Sequence, residues 1–504
     1  MEAIFANLLL GFQNALTPTN LLWVVIGSFL GTLVGMLPGV GPATGIAILI
    51  PVSYGMNPTT ALITMCAIYY GAMFGGSIAS IMINTPGDAS SIVTCFDGFR
   101  MAQKGRAGAA LATSAIASFI GGMIACVMVV LLAQPAASLA LKFGPAEMFA
   151  LILFAMTASI TLAEGKLLRG CVSLLFGLAV ASIGIDGQSG ILRYTFGVDV
   201  LQDGIDFLVA IIGAYAISEV FNSYRDIDVV YEIDTKKIGR VMITREDWNR
   251  IWLPIVRSTP IAFFLGCLPG IGGSMTSLIA YTTERQLAKN PEDFGTGDIV
   301  GVAAPEAANN ASATASIIPM LAIGIPSSGT TAVMLGALMM LGVQPGPMLF
   351  EMRPDIAWGV IASMFIGNIV LVFMNMPMVP YIAKLLALPQ KLLIPVIICL
   401  AFMGTYMMNY SAFDFFLLVL FGILGYSMQK LDIPIPPMVL GLILGDTLEK
   451  TFRQAMVAKS GSLTVFLDKP IALAFFALAA ISLVYSLLQS RKVSARQARA
   501  ETDG

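Results

Sequence analysis

The 504 residues include 28 Lys and Arg against 30 Asp and Glu, and 57% are hydrophobic while only 12% are charged. This composition excludes an ordinary soluble domain, and the small net charge gives no reason to expect a nucleic-acid partner. At about 20 residues per membrane helix, the length accommodates roughly 10–14 membrane segments.

The residue types also exclude several kinds of chemistry. The chain has no His, and its six Cys are dispersed without a Cys-x-x-Cys spacing, which argues against a zinc site or a disulfide framework. Neither a Ser-His-Asp arrangement nor a phosphate-binding Gly-x-x-x-x-Gly-Lys motif is present. We therefore expect no enzyme, no metal and no cofactor. A coupling ion, Na+ or H+, would have to use carboxylates, hydroxyls, amides or backbone carbonyls.

The chain begins with a lead-in, residues 1–20, which contains no Lys or Arg and so lacks the basic region of a secretory signal peptide. We interpret it as a short interfacial or amphipathic segment. A first membrane repeat is predicted over 21–221, with apolar runs at 21–37, 43–52, 59–83, 107–133, 146–163, 167–184 and 207–220.

A polar stretch, 222–250, is predicted to be a cytoplasmic loop that connects the two halves. A second membrane repeat follows over 251–490, and a tail over 491–504. Its apolar runs lie at 251–268, 274–287, 301–325, 332–343, 356–388, 392–408, 413–428, 433–444 and 471–488.

The motif Leu-Pro-Gly-x-Gly occurs twice, at 37–41 and 268–272, each time at the end of a long apolar run. One copy alone would indicate a proline kink with packing glycines. Recurrence in both halves favours a broken helix whose backbone binds a solute, because unpaired backbone is tolerated at membrane depth only against protein or water. The predicted substrate-binding residues here are Pro38, Gly39, Gly41, Pro269, Gly270 and Gly272.

A further polar break ends a later apolar run in each half. Asp88 and Ser90 of the first-half break are predicted to act in ion coupling, since this break alone carries a carboxylate. The alternative is that Asp88 is simply solvated at the polar end of a helix. The predicted substrate-binding residues of the two breaks are Asn84, Thr85, Pro326, Ser327 and Ser328.

The stretch 305–314 places a carboxylate and two amides among small residues. Amides can donate to a substrate carboxylate and accept from a cation, so Asn309 and Asn310 are predicted to bind substrate. Glu306 and Ser312 are predicted to act in ion coupling. The alternative is helix capping at a membrane interface. The corresponding first-half stretch, 69–77, is interpreted mainly as core packing, with Gly75, Gly76 and Ser77 as weaker site residues.

Basic residues orient the chain, because Lys and Arg are enriched in cytoplasmic loops. With 222–250 in the cytoplasm, the basic stretches 100–106, 166–169 and 491–499 fall on the same side. Fewer basic residues, among them Arg193 and Arg353, fall opposite. The tail is then cytoplasmic and the two halves have opposite orientations, as in transporters built from inverted repeats.

The segments 37–42, 70–77, 84–87, 305–310 and 324–326 together resemble the large transmembrane subunit of the tripartite tricarboxylate transporter family, and the resemblance covers nearly the whole chain. It implies an importer in the bacterial inner membrane that works with a small membrane subunit and a periplasmic solute-binding protein. It further implies carboxylate substrates such as citrate and transport driven by an ion gradient.

The expectation is therefore an all-α polytopic membrane protein with broken or re-entrant helices and two inverted structural repeats. Its expected function is symport of a di- or tricarboxylate with Na+ or H+. The alternatives are a passive anion channel, which should carry a charged ring or a hydrophobic gate, and a non-transporting scaffold subunit. The sequence leaves open which carboxylate is bound and whether a homodimer forms.

Overall fold

The computed structural model describes residues 2–37, 40–53, 55–161, 167–225, 238–382, 384 and 390–502. In this part of the chain the secondary structure is almost entirely helical. Six helices are long and apolar enough to cross a membrane, judged by length and composition. They are Pro18–Met36, Pro58–Ile83, Ala107–Ala140, Phe207–Tyr224, Pro354–Ile382 and Phe413–Lys430. The predicted all-α polytopic class is confirmed.

The first half of the chain forms eleven of the described α-helices and one short hairpin. The helices are α1 (Glu2–Ala15), α2 (Pro18–Met36), α3 (Pro42–Ser53), α4 (Pro58–Ile83), α5 (Ile92–Thr94), α6 (Arg100–Gln103), α7 (Ala107–Ala140), α8 (Pro145–Thr161), α9 (Leu167–Ala181), α10 (Phe207–Ile212) and α11 (Ser218–Arg225). A 3-10 turn covers Ala89–Ser91, and π-helical turns cover Cys95–Phe99 and Gly213–Ile217. The antiparallel strands are β1 (Gly184–Ile185) and β2 (Leu192–Arg193), with a 3-10 turn at Asp199–Asp203 after them.

The second half continues with helices of similar type. They are α12 (Arg245–Gly266), α13 (Gly273–Leu287), α14 (Val300–Ala315), α15 (Ile317–Ala322), α16 (Gly329–Met340), α17 (Pro347–Met352), α18 (Pro354–Ile382), α19 (Gln390–Asn409), α20 (Phe413–Lys430), α21 (Ile435–Ala458) and α22 (Pro470–Thr502). Further 3-10 turns cover Pro291–Asp293 and Leu463–Phe466.

Several helix boundaries differ from the apolar runs. The lead-in forms α1, which packs so tightly on α18 that a Cβ added at Gly11 would lie 2.2 Å from Trp358 O. The polar stretch 222–250 is helical at both ends, up to Arg225 and again from Arg245, while 226–237 lie outside the described residues. The run 301–325 is divided at Ser316, where α14 ends.

All four predicted breaks coincide with helix ends. Two of them contain glycines with positive φ, Gly270 at +82° and Gly324 at +81°. The break after α4 begins at Asn84, a non-glycine residue with φ of 53°. Glycine and Asn are the residues that adopt this left-handed conformation most readily. The first break separates α2 from α3, and its Pro38 and Gly39 lie outside the described residues.

Helices α2 and α4 are parallel neighbours that touch backbone to backbone. A Cβ added at Gly31 would lie 2.3 Å from Ile68 O, and one added at Gly35 would lie 2.1 Å from Ala72 O. The reverse contact occurs at Gly75, where a Cβ would lie 2.2 Å from the carbonyl oxygen of a residue in α2. Small residues four positions apart permit this approach in membrane helices.

Helices α12 and α14 are also parallel, and α14 runs antiparallel to α4. Gly266 of α12 contacts Ser312 of α14, whereas the start of α12 shares an apolar cluster with the start of α14. Across the other seam, Ser77 of α4 contacts Glu306, and Ile81 and Val302 both approach Gly98. Each half thus contains a parallel helix pair, and the two pairs run in opposite directions. Superposition of the halves as inverted repeats stays a prediction.

Ion pairs form two separate groups that match the two sets of basic residues in the sequence. Arg106 pairs with Asp247 at 2.7 Å, near the start of α12. Arg193 instead pairs with Glu449 at 2.8 Å, beside the hairpin. Arg106 and Glu449 are each partly exposed, so the two pairs lie at polar ends of the bundle. Which end faces the cytoplasm stays a prediction.

Candidate functional site

The loop after α2 and the break after α4 lie against each other. A Cβ added at Gly41 would lie 3.2 Å from Asp88 Oδ1. The same break reaches the loop that precedes α13, because a Cβ added at Gly273 would lie 3.1 Å from Ser90 Cβ. Breaks from the two halves of the chain therefore meet in one region.

The loop before α13 in turn contacts the break after α15. Gly270 N donates to Ser327 O at 3.2 Å, and Pro269 and Pro326 are both buried. A Cβ at Gly270 would lie 2.2 Å from Ala158 O, so this position requires glycine for space as well as for its positive φ. The four breaks thus form a continuous series of contacts, which we call the break cluster (residues 40–41, 87–91, 268–273 and 326–329).

The predicted ion-coupling residues Asp88 and Ser90 are adjacent within the break cluster. Asp88 Oδ2 accepts hydrogen bonds from Ser90 N at 3.0 Å and from Ser90 Oγ at 2.6 Å. Asp88 N donates to Ser91 Oγ at 3.4 Å, which completes a capping box on the following turn. Only glycine fits at position 87, because a Cβ there would lie 1.7 Å from Gly35 O.

Asn84 and Thr85 occupy the other end of the same break. Thr85 Oγ1 donates locally, to Ile83 O at 3.2 Å. Asn84 lines a cleft of about 470 Å3 together with Phe96, Arg100 and others. The structure thus places Asn84 beside a cleft, whereas Asp88 lies in the break cluster.

The second-half break is held by hydroxyls and retains an unpartnered one. Ser328 caps α16 by accepting from Thr331 N at 3.2 Å, and Ser327 N donates to Thr331 Oγ1 at 3.1 Å. Ser327 Oγ is buried and forms no hydrogen bond. A Cβ at Gly329 would lie 3.2 Å from the hydroxyl of Tyr215, which is also unpartnered. Two hydroxyls near this break are therefore free to bind a ligand.

Three helices begin at the break cluster, namely α3, α13 and α16. Gly272 precedes α13 without a side-chain cap, so no side chain occupies the first backbone amides of that helix. The start of a helix carries a partial positive charge and free N–H groups, which favour an anion. None of the residues at 37–42, 268–273 or 324–331 is Lys or Arg. Apart from Asp88, the break cluster contains no charged side chain, so a bound carboxylate would be held by neutral donors.

Glu306 of α14 lies beside the break cluster and is completely buried. Ser77 Oγ donates to Oε2 at 2.5 Å, and Thr94 donates to Oε1. Ser114 and Ser118 of α7 each approach Oε2 at 3.3 Å. Within the described chain no Lys or Arg forms an ion pair with this carboxylate. Glu306 therefore links three elements through neutral donors alone.

The paired amides extend the same cluster along α14. Asn309 Nδ2 approaches Glu306 Oε2 at 3.4 Å, and Asn310 Nδ2 donates to Asn309 Oδ1 at 2.6 Å and to Glu306 O at 3.2 Å. The carbonyl oxygen of the Asn310 side chain has no partner. Ser312 packs elsewhere, against Gly266 of α12. The structure thus groups Glu306, Asn309 and Asn310, and places Ser312 on a different contact.

Sequence reasoning missed the hydroxyls around Glu306 and one anchoring carboxylate. Ser114 and Ser118 are four residues apart in a largely apolar helix, a spacing that places them on one helix face. Asp97 is fully buried and accepts from Gly297 N at 2.7 Å and from the Tyr281 hydroxyl at 2.9 Å. A single Asp in an apolar stretch of the sequence was the signal that could have predicted this contact between the halves.

A separate cleft of about 390 Å3 lies beside the hairpin and is lined by Asp186, Arg193 and Glu449 among others. Hydrogen bonds from Ser189 Oγ and Gln188 N hold the pKa of Asp186 below its ordinary value, and the neighbouring arginines add to this effect. No predicted substrate residue lines this cleft. It belongs to the charged end of the bundle.

Comparisons with known proteins identify the family of the chain. A family model described as the tripartite tricarboxylate transporter TctA family matches residues 21–440. An uncharacterized 52.8 kDa protein in the TAR-I ttuC' 3'region of Agrobacterium vitis is 42% identical over 490 residues, which cover 97% of each chain.

A second protein of Agrobacterium vitis, uncharacterized and in the TAR-II ttuC' 3'region, is 40% identical over 239 residues, or 47% of this chain and 99% of that protein. No solved structure matches the chain. The family match spans both halves and every segment of the break cluster. This multi-pass membrane protein therefore belongs to the tripartite tricarboxylate transporter TctA family.

Proposed function

We propose that the chain is the large membrane subunit of an importer for di- or tricarboxylates in the bacterial inner membrane. An ion gradient drives uptake, a periplasmic solute-binding protein delivers the substrate, and a small membrane subunit completes the complex. The family supports the transporter class. The substrate, the partners, the membrane and the coupling ion belong to the proposal.

The observation that carries the proposal is the contact between breaks from both halves. Gly41 meets Asp88, Gly273 meets Ser90, and Gly270 bonds to Ser327. Non-helical backbone at membrane depth requires protein or a water-filled cavity around it. In secondary transporters such broken segments hold substrate and coupling ions near the middle of the bilayer.

The break cluster is suited to bind a multiply charged anion that must also be released during transport. Helix starts at α3, α13 and α16 supply amides and partial positive charge, and the Ser327 hydroxyl is unpartnered. A site with fixed Arg or Lys would bind a carboxylate more strongly and release it more slowly. Neutral donors leave the rest of the charge compensation to the coupling ion.

Opposite orientation of the two helix pairs supports alternating access. The α2–α4 pair and the α12–α14 pair run in opposite directions and meet where Ser77 contacts Glu306. We infer that the halves are inverted repeats and that one rocks against the other around the break cluster. Substrate then enters from the periplasmic side and leaves on the side of Arg100 and Arg106.

Uptake into proteoliposomes tests the proposal. The reconstituted complex receives labelled citrate or another dicarboxylate or tricarboxylate through its binding protein, with an imposed Na+ gradient, an imposed H+ gradient or neither. Saturable accumulation above the external concentration supports a gradient-driven importer. Downhill flux alone would instead identify a passive anion channel. Absence of flux from a correctly inserted complex, across the carboxylates tried, would identify a scaffold subunit.

A further inference from the structure

We propose that the core between α4 and α14 contains a binding site for a dehydrated Na+ ion, formed by the side-chain oxygens of Asn310, Thr314 and Tyr70. These residues are at most 1% exposed, and none of the three oxygens forms a hydrogen bond of normal geometry. The inference rests on the proposed function only in assigning this ion to transport. Binding of the ion itself can be tested without substrate or partner.

The orientation of the Asn310 amide is fixed by its neighbours. Its nitrogen donates to Asn309 Oδ1 at 2.6 Å and to Glu306 O at 3.2 Å. Both partners are acceptors, so the nitrogen must face them and the oxygen must face away. Rotation of the amide by half a turn would set its oxygen against two other oxygens. The unpartnered atom is therefore an acceptor that can receive only a donor or a cation.

Thr314 and Tyr70 continue the same surface. Thr314 lies four residues after Asn310 on α14, which places both side chains on one helix face. The Tyr70 hydroxyl of α4 lies beside Thr314, yet neither oxygen has a hydrogen bond of normal geometry. The antiparallel pairing explains this approach, since Ser77, two turns after Tyr70, contacts Glu306, two turns before Thr314.

Charge and ligand chemistry favour a cation over an anion. Oxygen ligands without nitrogen or sulfur suit hard cations. Glu306, one turn before Asn310, is completely buried and has no Lys or Arg in contact among the described residues. A bound cation nearby would favour the ionised form of Glu306, which burial without a charged partner disfavours.

The competing occupant is an ordered water molecule, which also bridges buried polar groups. Water and Na+ differ in one measurable respect, because only Na+ makes stability depend on the salt in solution. A ligand that binds the folded state raises the unfolding midpoint in proportion to the logarithm of its concentration.

The test measures thermal unfolding of the purified full-length protein in detergent, by intrinsic fluorescence, without substrate. NaCl replaces choline chloride or KCl at constant ionic strength. The expected result for the unchanged protein is a rise of a few °C in the midpoint with Na+ and none with K+. Thr314→Val and Tyr70→Phe should remove this rise, because each deletes one ligand oxygen while keeping the side-chain volume nearly constant.

Thr405→Val is the matched control. Thr405 Oγ1 is also buried and unpartnered, but it lies on α19, so this variant should retain the full Na+ response. If one site variant fails to fold, the other decides the question. The proposed site is refuted if the midpoint of the unchanged protein does not respond to Na+, or if both site variants keep the full response. Either result remains compatible with an importer driven by H+. A Na+ response of the midpoint in a protein that shows no uptake refutes the proposed importer and supports the Na+ site.

Discussion

Two carboxylates near the breaks, Asp88 and Glu306, are held in very different ways. The hydrogen bonds to the Asp88 side chain come from Ser90, two residues away. The shortest bonds to Glu306 come from Ser77 and Thr94, which are 229 and 212 residues away in the chain. Asp88 therefore shapes a local turn, whereas Glu306 joins the two halves. This difference predicts that substitution of Glu306 lowers the stability of the fold more than substitution of Asp88 does.

The largest effect is expected for Glu306→Ala. This change removes the acceptor shared by Ser77, Thr94, Ser114 and Ser118 and opens a cavity between α4, α7 and α14, which should lower the free energy of unfolding by about 3 kcal/mol or more. Thermal unfolding in detergent and the yield of monodisperse protein measure the loss.

Glu306→Gln is the matched variant, because it keeps the volume and removes the charge. It should fold nearly normally and lose ion-driven uptake. If Glu306→Ala unfolds at the same midpoint as the unchanged protein, the carboxylate does not join the halves.

Asp88→Ala should have an intermediate effect. Loss of the cap on the turn Ala89–Ser91 costs about 1 kcal/mol. Asp88→Asn keeps an oxygen that can accept from Ser90 N and should restore most of the stability. If Asp88 also couples the ion, Asp88→Asn remains stable but loses gradient-driven uptake. Equal uptake by Asp88→Asn and the unchanged protein would restrict Asp88 to the cap.

Ser327→Ala should leave stability unchanged within about 0.5 kcal/mol, since its hydroxyl is unpartnered and no hydrogen bond is lost. The expected result is a several-fold higher KM for the carboxylate at an unchanged amount of inserted protein. Ser316→Ala is a useful comparison, because the Ser316 hydroxyl is already bonded to Ala313 O at 2.6 Å. A KM equal to that of the unchanged protein would remove Ser327 from the substrate site.

The smallest effect concerns Asp186, a carboxylate at the charged end of the bundle. Hydrogen bonds from Ser189 and Gln188, with two arginines nearby, lower its pKa in the folded state. A lowered pKa means that its contribution to stability is present above the pKa of the unfolded chain and is lost as the pH falls through the folded value. Asp186→Asn should therefore lower the unfolding midpoint slightly at pH 7 and leave it unchanged in strong acid. An equal change at both pH values would show that the charge of Asp186 is immaterial.

The sequence allowed the breaks to be predicted, because their causes are local. Pro lacks a backbone N–H, and glycine is the residue that adopts positive φ at Gly270 and Gly324. The partners of Glu306 could not be predicted, since they depend on the register of α4 against α14 and on a π-helical turn that follows Thr94. The pairing of Asp97 with amides near Gly297 is a tertiary contact of the same kind.

The separation of the predicted residues was also beyond sequence reasoning. Asn84 and Asp88 are four residues apart, yet the chain reverses at Asn84, so one lines a cleft and the other joins the break cluster. Ser312 belongs to the same stretch as Glu306 but lies against α12. Proximity in sequence therefore did not predict proximity in space where the chain reverses or where two residues lie on different faces of one helix.

The backbone contact between α2 and α4 has a mechanical consequence. No side chain separates Gly31 from Ile68 or Gly35 from Ala72, so sliding one helix along the other would force Cβ atoms of the larger residues against carbonyl oxygens. We expect these two helices to move together as one rigid body. Relative movement then has to occur at the seam between α4 and α14, where hydroxyl groups rather than backbone atoms make the contact and can exchange partners as it shifts.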